Sequence, residues 1–493
     1  MYVFCCETSC RILRQLLTQC VVVGQVIPID ILPDEVLLAI FDFLVDQDVD
    51  QAAQLPRIPR KKEIESWQSL VHVCRRWRRI VFESPHRLNL RLVCTIKTSA
   101  RDTLDVWPAL PLLIRDSACY GECFDNFIAL LKHNDRVCQI NLGGIPGLHL
   151  EQLSAAMQEP FPELALLVLL SPEMVPALPD SFLGGSAPRL RFLWLEGISF
   201  PGLPKLLISA TRLVHLTLYD IPHSGYISPE AMLAALSTLA TLESLSLGFL
   251  SSQPFPDLAD RPPLSQTRSA LPVLTYFWYQ GASGYLDDLV ARIDAPQVNK
   301  LYITFFHQIV FHTPQFTCFI RRTPALKALK KAHVAFDESH AHAILSSRYG
   351  LLHMTIVEFG LQVSSLERIC TSFLSSLFSL EDLYIYEYPS SHPDWRGDTE
   401  NTAWLELLHP FSAVKNLYLS KQIASIIGHA LQDLVGGRTT EVLPTLQHIF
   451  LEGFLPSGPI QEGIQQFVAM RQVTSHHIAV SRWDKPSAEM ALL

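Results

Sequence analysis

The sequence predicts an α/β chain: a small helical domain near the N-terminus, followed by a solenoid of strand–helix units. Three observations carry this. Residues 31 to 90 hold amphipathic segments of helical period. From Val137 onward a phrase of the form apolar-x-x-apolar-x-apolar recurs at spacings of 23 to 34 residues. The composition, 48% hydrophobic and 10% aromatic over 493 residues, is that of a chain that fills substantial cores rather than one that stays disordered.

Residues 1–27 read as an irregular tail. Arg11 and Arg14 precede a short apolar run, Leu16, Leu17 and Val21 to Val23, too short to span a membrane. A signal peptide and lipidation of Cys5 or Cys6 are competing readings. Against them, the start is Cys-rich rather than basic, and position 2 is Tyr2 rather than glycine. A helix should begin at Pro33, which has no N–H to lose, and Asp34 and Glu35 place negative charge beside the unpaired N–H groups of its first turn. Val36, Leu37, Ile40, Phe41 and Leu44 then recur at three- and four-residue spacing and form an apolar stripe. Residues 45–66 are expected as an inserted loop carrying Asp46, Asp48, Asp50, Pro56 and Pro59, with Arg57, Arg60, Lys61 and Lys62. A short helix is expected from Ile64 to Ser69. A second amphipathic segment follows, in which Leu70, Val73, Cys74, Trp77 and Ile80 share a face ringed by Arg75, Arg76, Arg78 and Arg79. A unit of about sixty residues is marginal alone, and an apolar face on it is most naturally covered by a partner.

In order, Leu32-Pro33, the apolar helix from Val36 to Leu44, and Val73-Cys74-Arg75-Arg76-Trp77 resemble an F-box, over residues 28–90. The inserted loop departs from the usual pattern, although lengthening a surface loop costs only logarithmically in closure entropy. The resemblance implies docking on the adaptor protein of an SCF-type (cullin-RING) ubiquitin ligase and, through it, on the cullin. The residues it assigns to that contact are Leu32, Pro33, Val36, Leu37, Ile40, Phe41, Leu44, Val73, Cys74 and Trp77. It also implies a cytoplasmic or nuclear protein, with no cofactor. Ser84-Pro85-His86-Arg87-Leu88, followed by Asp105-Val106-Trp107-Pro108, is similar to F-box proteins of the mushroom lineage.

Residues 91–136 form a junction that includes an atypical first repeat, with strand-like stretches at 87–93 and on through Thr103 to Ile114. The recurring phrase then begins at Val137, Leu164, Leu190, Leu213, Leu242, Leu271, Val298, Leu326, Leu351, Leu380, Val414 and Leu446. Its fourth and sixth positions alternate inward, as a half-buried strand requires. Helical candidates lie between, at Pro229 to Leu239, Tyr285 to Ile293, Ser365 to Leu377 and Trp404 to Leu408. One such unit cannot bury its apolar face, so neighbours must stack. The phrase and period resemble leucine-rich repeats, which implies a solenoid over 137–480 with a curved parallel sheet and helices on its convex side. The usual asparagine after the strand is missing from most units, and Lys331 falls at an expected inward position of the eighth. Residues 251–270, rich in Pro and Ser, are expected to loop out, with Ser265 and Thr267 as regulatory candidates, and 481–493 form a C-terminal tail.

The fifth position of each phrase should face the open side of the sheet. That column and its neighbour supply the candidate target-binding residues Trp194, Tyr302, Tyr384, Tyr386, Tyr418 and Phe450, because aromatics give rigid apolar contact with a polar edge. The competing reading is that these rings pack on one another or under the C-terminal tail. Thr275, Lys330 and Thr355 fall in the same column.

No constellation supports chemistry, so no catalytic residue is expected and the chain is read as not an enzyme. The formal charge of −9 argues against a general nucleic-acid binder. The 11 cysteines are odd in number and irregular in spacing, which reads as free thiols in a reducing compartment. His307 and His312 lie near Cys318, and His340 and His342 near His333, but no compact Cys/His spacing marks a zinc site, and no metal is expected. Cys119 and Cys123, four residues apart, are too little alone. No Gly-x-Ser-x-Gly elbow or phosphate loop occurs. The function expected is recruitment: an adaptor-docking domain joined to a repeat domain that holds a target protein, with no nucleic-acid or membrane partner. The alternative is a non-catalytic interaction scaffold acting outside a ligase.

Overall fold

The computed structural model describes residues 32–49, 66–85, 87–96, 99–117, 124–173, 177–250, 268–306, 313–337, 340–357, 362–374, 380–388, 401–434, 440–453, 462–474 and 476–484. The tail 1–27, most of the inserted loop, the segment 251–267, and Cys119, Cys123, His307 and His312 lie outside them. Among the described residues no helix is long and apolar enough to cross a membrane. The chain divides into two compact units, 1–171 and 172–493.

In the first unit, helix α1 (Asp34–Val49) starts where Pro33 and the two acidic residues predict it, with the N–H groups of Val36 and Leu37 donating to Pro33 O at 3.1 Å. It continues to Val49, into the segment expected as loop. The second amphipathic segment is two helices, α2 (Ser66–Val71) and α3 (Arg75–Glu83). The break comes at Cys74, whose extended backbone makes it the N-cap and whose Sγ accepts from Trp77 N at 3.5 Å. Leu70 and Val73 therefore do not share a helical face with Trp77. Leu37, Phe41, Trp67, Leu70, Trp77, Ile80 and Val81 form the core, with the Phe41 and Trp77 rings 4.8 Å apart. Arg76 ties α3 to the start of α1, donating from Nε to Asp34 Oδ1 at 2.9 Å and from Nη2 to Leu32 O at 2.5 Å. Arg78 Nε donates to Val71 O at 2.9 Å, closing the C-terminus of α2.

The junction is more regular than its sequence suggests. Strands β1 (Leu92–Cys94), β2 (Leu112–Asp116), β3 (Val137–Leu142) and β4 (Leu166–Leu170) pair in parallel, in chain order. They alternate with helices α4 (Ala100–Val106), α5 (Asp125–Leu131) and α6 (Gly147–Ala156). Residues 103–106, expected within the strand-like stretch from Thr103 to Ile114, instead belong to α4, whose N-terminus Ser99 caps, its hydroxyl accepting from Asp102 N at 3.3 Å.

The second unit repeats the same alternation. Strands β5 (Phe192–Glu196), β6 (His215–Ile221) and β7 (Ser244–Phe249) are parallel neighbours. A separate two-stranded ladder joins β8 (Ser269–Ala270) to β10 (Ile293–Asp294). The main sheet continues from β7 through β9 (Tyr276–Gly281) to β11 (Lys300–Phe306). Helices α7 (Leu203–Ser209), α8 (Pro229–Leu236), α9 (Ser283–Ala291), α10 (Pro314–Arg322) and α11 (Pro324–Lys327) fill the connections.

Parallel order is then interrupted. Strands β12 (Lys331–Phe336), β13 (His340–Ser346) and β14 (Leu351–Val357) form an antiparallel meander in which β14 lies beside β11 and β12 beside β15 (Asp382–Glu387). From β15 the parallel order resumes through β16 (Asn416–Leu419) and β17 (His448–Glu452) to β18 (Ala479–Trp483). Helices α12 (Gln362–Leu374), α13 (Asn401–Leu408), α14 (Lys421–Gln432) and α15 (Glu462–Val473) pack in file. The protein is thus an N-terminal helical domain followed by an α/β repeat architecture with a parallel-dominated sheet.

Three phrases sit in a shifted register. At Leu271 and Leu326 the strand phase begins three residues later, at Leu274 and Leu329, so Trp278 and His333 replace Thr275 and Lys330 in the open column. Lys331 is accordingly exposed rather than inward. At Leu351 the shift is two residues, which keeps the facing but sets His353, not Thr355, opposite Tyr302.

Candidate functional site

The first candidate surface lies on the N-terminal helical domain. The described part of the α1 stripe divides into two sides, because 3.6-residue periodicity sets Val36, Ile40 and Phe43 apart from Leu37 and Phe41. Val36 is 42%, Phe43 55% and Val73 53% exposed, while Leu37, Phe41 and Trp77 are buried. Pro33 is exposed, and Leu32, Ile40, Leu44 and Cys74 are half-buried. Of the ten residues expected to touch an adaptor, Leu37, Phe41 and Trp77 are core side chains that shape the surface without forming it. Phe43, not among those ten, belongs to the exposed side as well, three residues after Ile40 and seven after Val36.

The second candidate surface is the open face of the sheet in the second unit. His333, Tyr384, Tyr418 and Phe450 occupy matched positions on β12, β15, β16 and β17 and stack as a ladder. Successive centroids are 4.4, 4.1 and 4.5 Å apart, and successive planes lie within 10° of each other. Trp483 on β18 leans over the ladder, 6.0 Å from Tyr384 and 5.9 Å from Tyr418. Tyr386 is buried with Ala335 and Trp483. This end of the column thus follows the competing reading in part: its rings pack on one another and against the Trp483 side chain, with Tyr384, Tyr418 and Phe450 still half-buried. A second aromatic group lies on β6, β9 and β11, where Tyr219 stacks on Trp278 at 4.3 Å and Tyr276 approaches Tyr302 at 5.5 Å. Trp194 and Tyr302 are half-buried. Burial raises the phenols of Tyr276 and Tyr302, and pushes Tyr219 up to about 12. It lowers the His333 imidazole to about 4, with the Lys331 charge adding to the effect. The face is therefore aromatic and uncharged at these positions.

A third grouping stands at the meander. Asp337, at the end of β12, meets His340 and His342 of β13, and their potential ligand atoms all lie within 4.8 Å of one another. Asp337 Oδ2 is 3.2 Å from His340 Nδ1 and 3.2 Å from His342 Nε2. Burial lowers the pKa of His342, partly offset by the Asp337 carboxylate. Cys and His spacing alone does not mark this cluster; its signal in the sequence is the Asp-x-x-His-x-His pattern of Asp337, His340 and His342. Among the described cysteines, Cys74, Cys94, Cys138, Cys318 and Cys370 are free thiols.

The F-box-like family profile matches residues 29–86. Among solved structures, the chain is similar to the crystal structure of the leucine-rich repeat-containing protein LegL7 from Legionella pneumophila, at 14% identity over 81% of this chain and 100% of that one, with a TM-score of 0.26. No curated protein sequence matches.

Proposed function

We propose that this chain is the substrate-recognition subunit of an SCF-type ubiquitin ligase, in the manner of the mushroom-lineage F-box proteins that it resembles. The helical domain docks on the ligase adaptor and, through it, on the cullin, while the repeat domain holds the target protein. The observation that carries the reading is the apolar stripe of exposed Val36 and Phe43 with half-buried Ile40, on a domain whose sequence matches the F-box-like profile. No catalytic residue is required of this chain. Holding a target lysine beside a charged conjugating enzyme raises its effective concentration, which is catalysis by proximity. Such a protein works in the cytoplasm or nucleus.

The test is titration of purified adaptor into the full chain by calorimetry. Val36→Asp combined with Phe43→Asp places two charges in an apolar contact, at a cost of several kcal/mol, and should abolish binding while the fold persists. Undiminished binding by that variant would remove the docking assignment. Adaptor binding without ubiquitin transfer to any captured protein in a reconstituted ligase would instead favour a scaffold acting outside a ligase.

A further inference from the structure

The meander that interrupts the parallel sheet gathers an acid and two imidazoles on one face. On β13, Ala341, Ala343 and Leu345 are buried, so His340 and His342 emerge together on the opposite side of the strand. On β14 the same alternation buries Leu352, Met354 and Ile356 and turns His353 and Thr355 outward. Asp337 continues the outward phase of Lys331 and His333 on β12.

The carboxylate is held in place. Asp337 Oδ1 accepts from the backbone N–H of His340 at 2.7 Å, and the backbone N–H of Asp337 donates to His340 O at 3.0 Å. Oδ2 lies 3.2 Å from His342 Nε2, and both carboxylate oxygens approach His340 Nδ1, Oδ1 at 3.0 Å and Oδ2 at 3.2 Å. Bonds of about 2.0–2.1 Å to a tetrahedral zinc ion set ligand atoms about 3.3 Å apart, so the two Oδ2 separations already match edges of its coordination polyhedron. A second layer fixes the inner ring: His342 Nδ1 lies 3.2 Å from Thr355 Oγ1 and 3.3 Å from His353 Nε2. Such outer partners set the tautomer that turns Nε2 toward a metal. Access is graded, with side-chain exposures of 35% for His340, 28% for Asp337 and 12% for His342, so the cluster is reached from the His340 side.

We propose that Asp337, His340 and His342 form a Zn2+ site, bound through Asp337 Oδ2, His340 Nδ1 and His342 Nε2, with the fourth position left to water or to a donor from outside the chain. Two imidazoles and one carboxylate select a late first-row divalent ion over Ca2+ or Mg2+, which prefer all-oxygen shells, and over ions that prefer thiolates. The ion clamps the end of β12 to the start of β13. The proposal rests on its own geometry and does not depend on the ligase reading.

The test uses Co2+ as a spectroscopic stand-in, titrated into the reduced full-length chain. One equivalent should produce visible ligand-field bands without the near-ultraviolet thiolate charge transfer that a cysteine site gives. Asp337→Asn combined with His340→Gln should abolish those bands. His340→Gln alone, at a partly exposed position that the fold tolerates, should bind at least about tenfold more weakly, and a thermal melt confirms that it is folded. Bands that persist unchanged in His340→Gln, a wild-type spectrum carrying thiolate charge transfer alone, or no saturable binding would each overturn the site.

Discussion

Leu37 and Val36 are neighbours in sequence with opposite roles. Leu37 is buried against the core that holds Phe41 and Trp77, so Leu37→Ala should cost about 2–5 kcal/mol and show as a lowered melting temperature of the first unit. Val36→Asp should leave that transition nearly unmoved and act on binding alone. His333 carries a different expectation. Its folded pKa is about 4 against an ordinary 6.5, so the unfolded chain takes up its proton first as pH falls. Stability from this residue is complete above pH 6.5 and is lost between 6.5 and about 4, up to roughly 3 kcal/mol. His333→Phe keeps a ring on Tyr384 and removes the titration. It should therefore raise the melting temperature at pH 5 relative to wild type and change little at pH 8; equal shifts at both pH values would refute this account.

At the scale of elements, the repeats are held together by contacts that sequence patterns do not show. Arg471 of α15 is buried and donates from Nη2 to Val442 O at 2.9 Å and Leu443 O at 2.6 Å, in the loop before β17. Half-buried Arg322 of α10 likewise donates from Nη2 to Val290 O in α9 and to Ile293 O in β10, each at 2.5 Å. Arg471→Ala removes the donor to Val442 O and one of the two donors to Leu443 O, which also accepts from Leu446 N, and should cost about 3 kcal/mol in denaturant unfolding. Gly463 allows α15 to approach α14, since a Cβ there would lie 2.0 Å from Gly428 O. Strand position was legible wherever a phrase had one possible phase, as at Val137, where β3 spans Val137–Leu142. It slipped at Leu271 and Leu326 because an apolar residue also stands three places later, and the choice was made by Phe277 and Tyr279 or by Ala332 and Val334 packing inward. The strand β13 was not legible: its inward residues include Ala341 and Ala343, which carry little hydrophobic signal. The candidate site divided in the same way. Apolar period located the α1 stripe, but which of its sides faced solvent depended on α3, and the Asp337 cluster depended on a chain reversal that no repeat pattern encodes.

For the whole molecule, the proposed function puts adaptor docking in the first compact unit and target binding in the second, so defects in the two should be separable. Tyr302→Ala with Tyr418→Ala should weaken target capture by ~2 kcal/mol or more per anchoring ring and leave adaptor affinity unchanged. Val36→Asp with Phe43→Asp should do the reverse. Affinity capture with each double variant, read by mass spectrometry, sorts bound proteins into the two groups, and loss of both groups in either variant would contradict separate surfaces. Trp483 gives this scheme an optical readout. Its indole lies within energy-transfer range of Tyr384 and Tyr418, so excitation of those phenols should be emitted in part from this indole. A protein that docks on the ladder and displaces β18 would shift that emission to the red and dim it. The difference between wild type and Trp483→Phe isolates its signal from the other tryptophans of a chain that has 8.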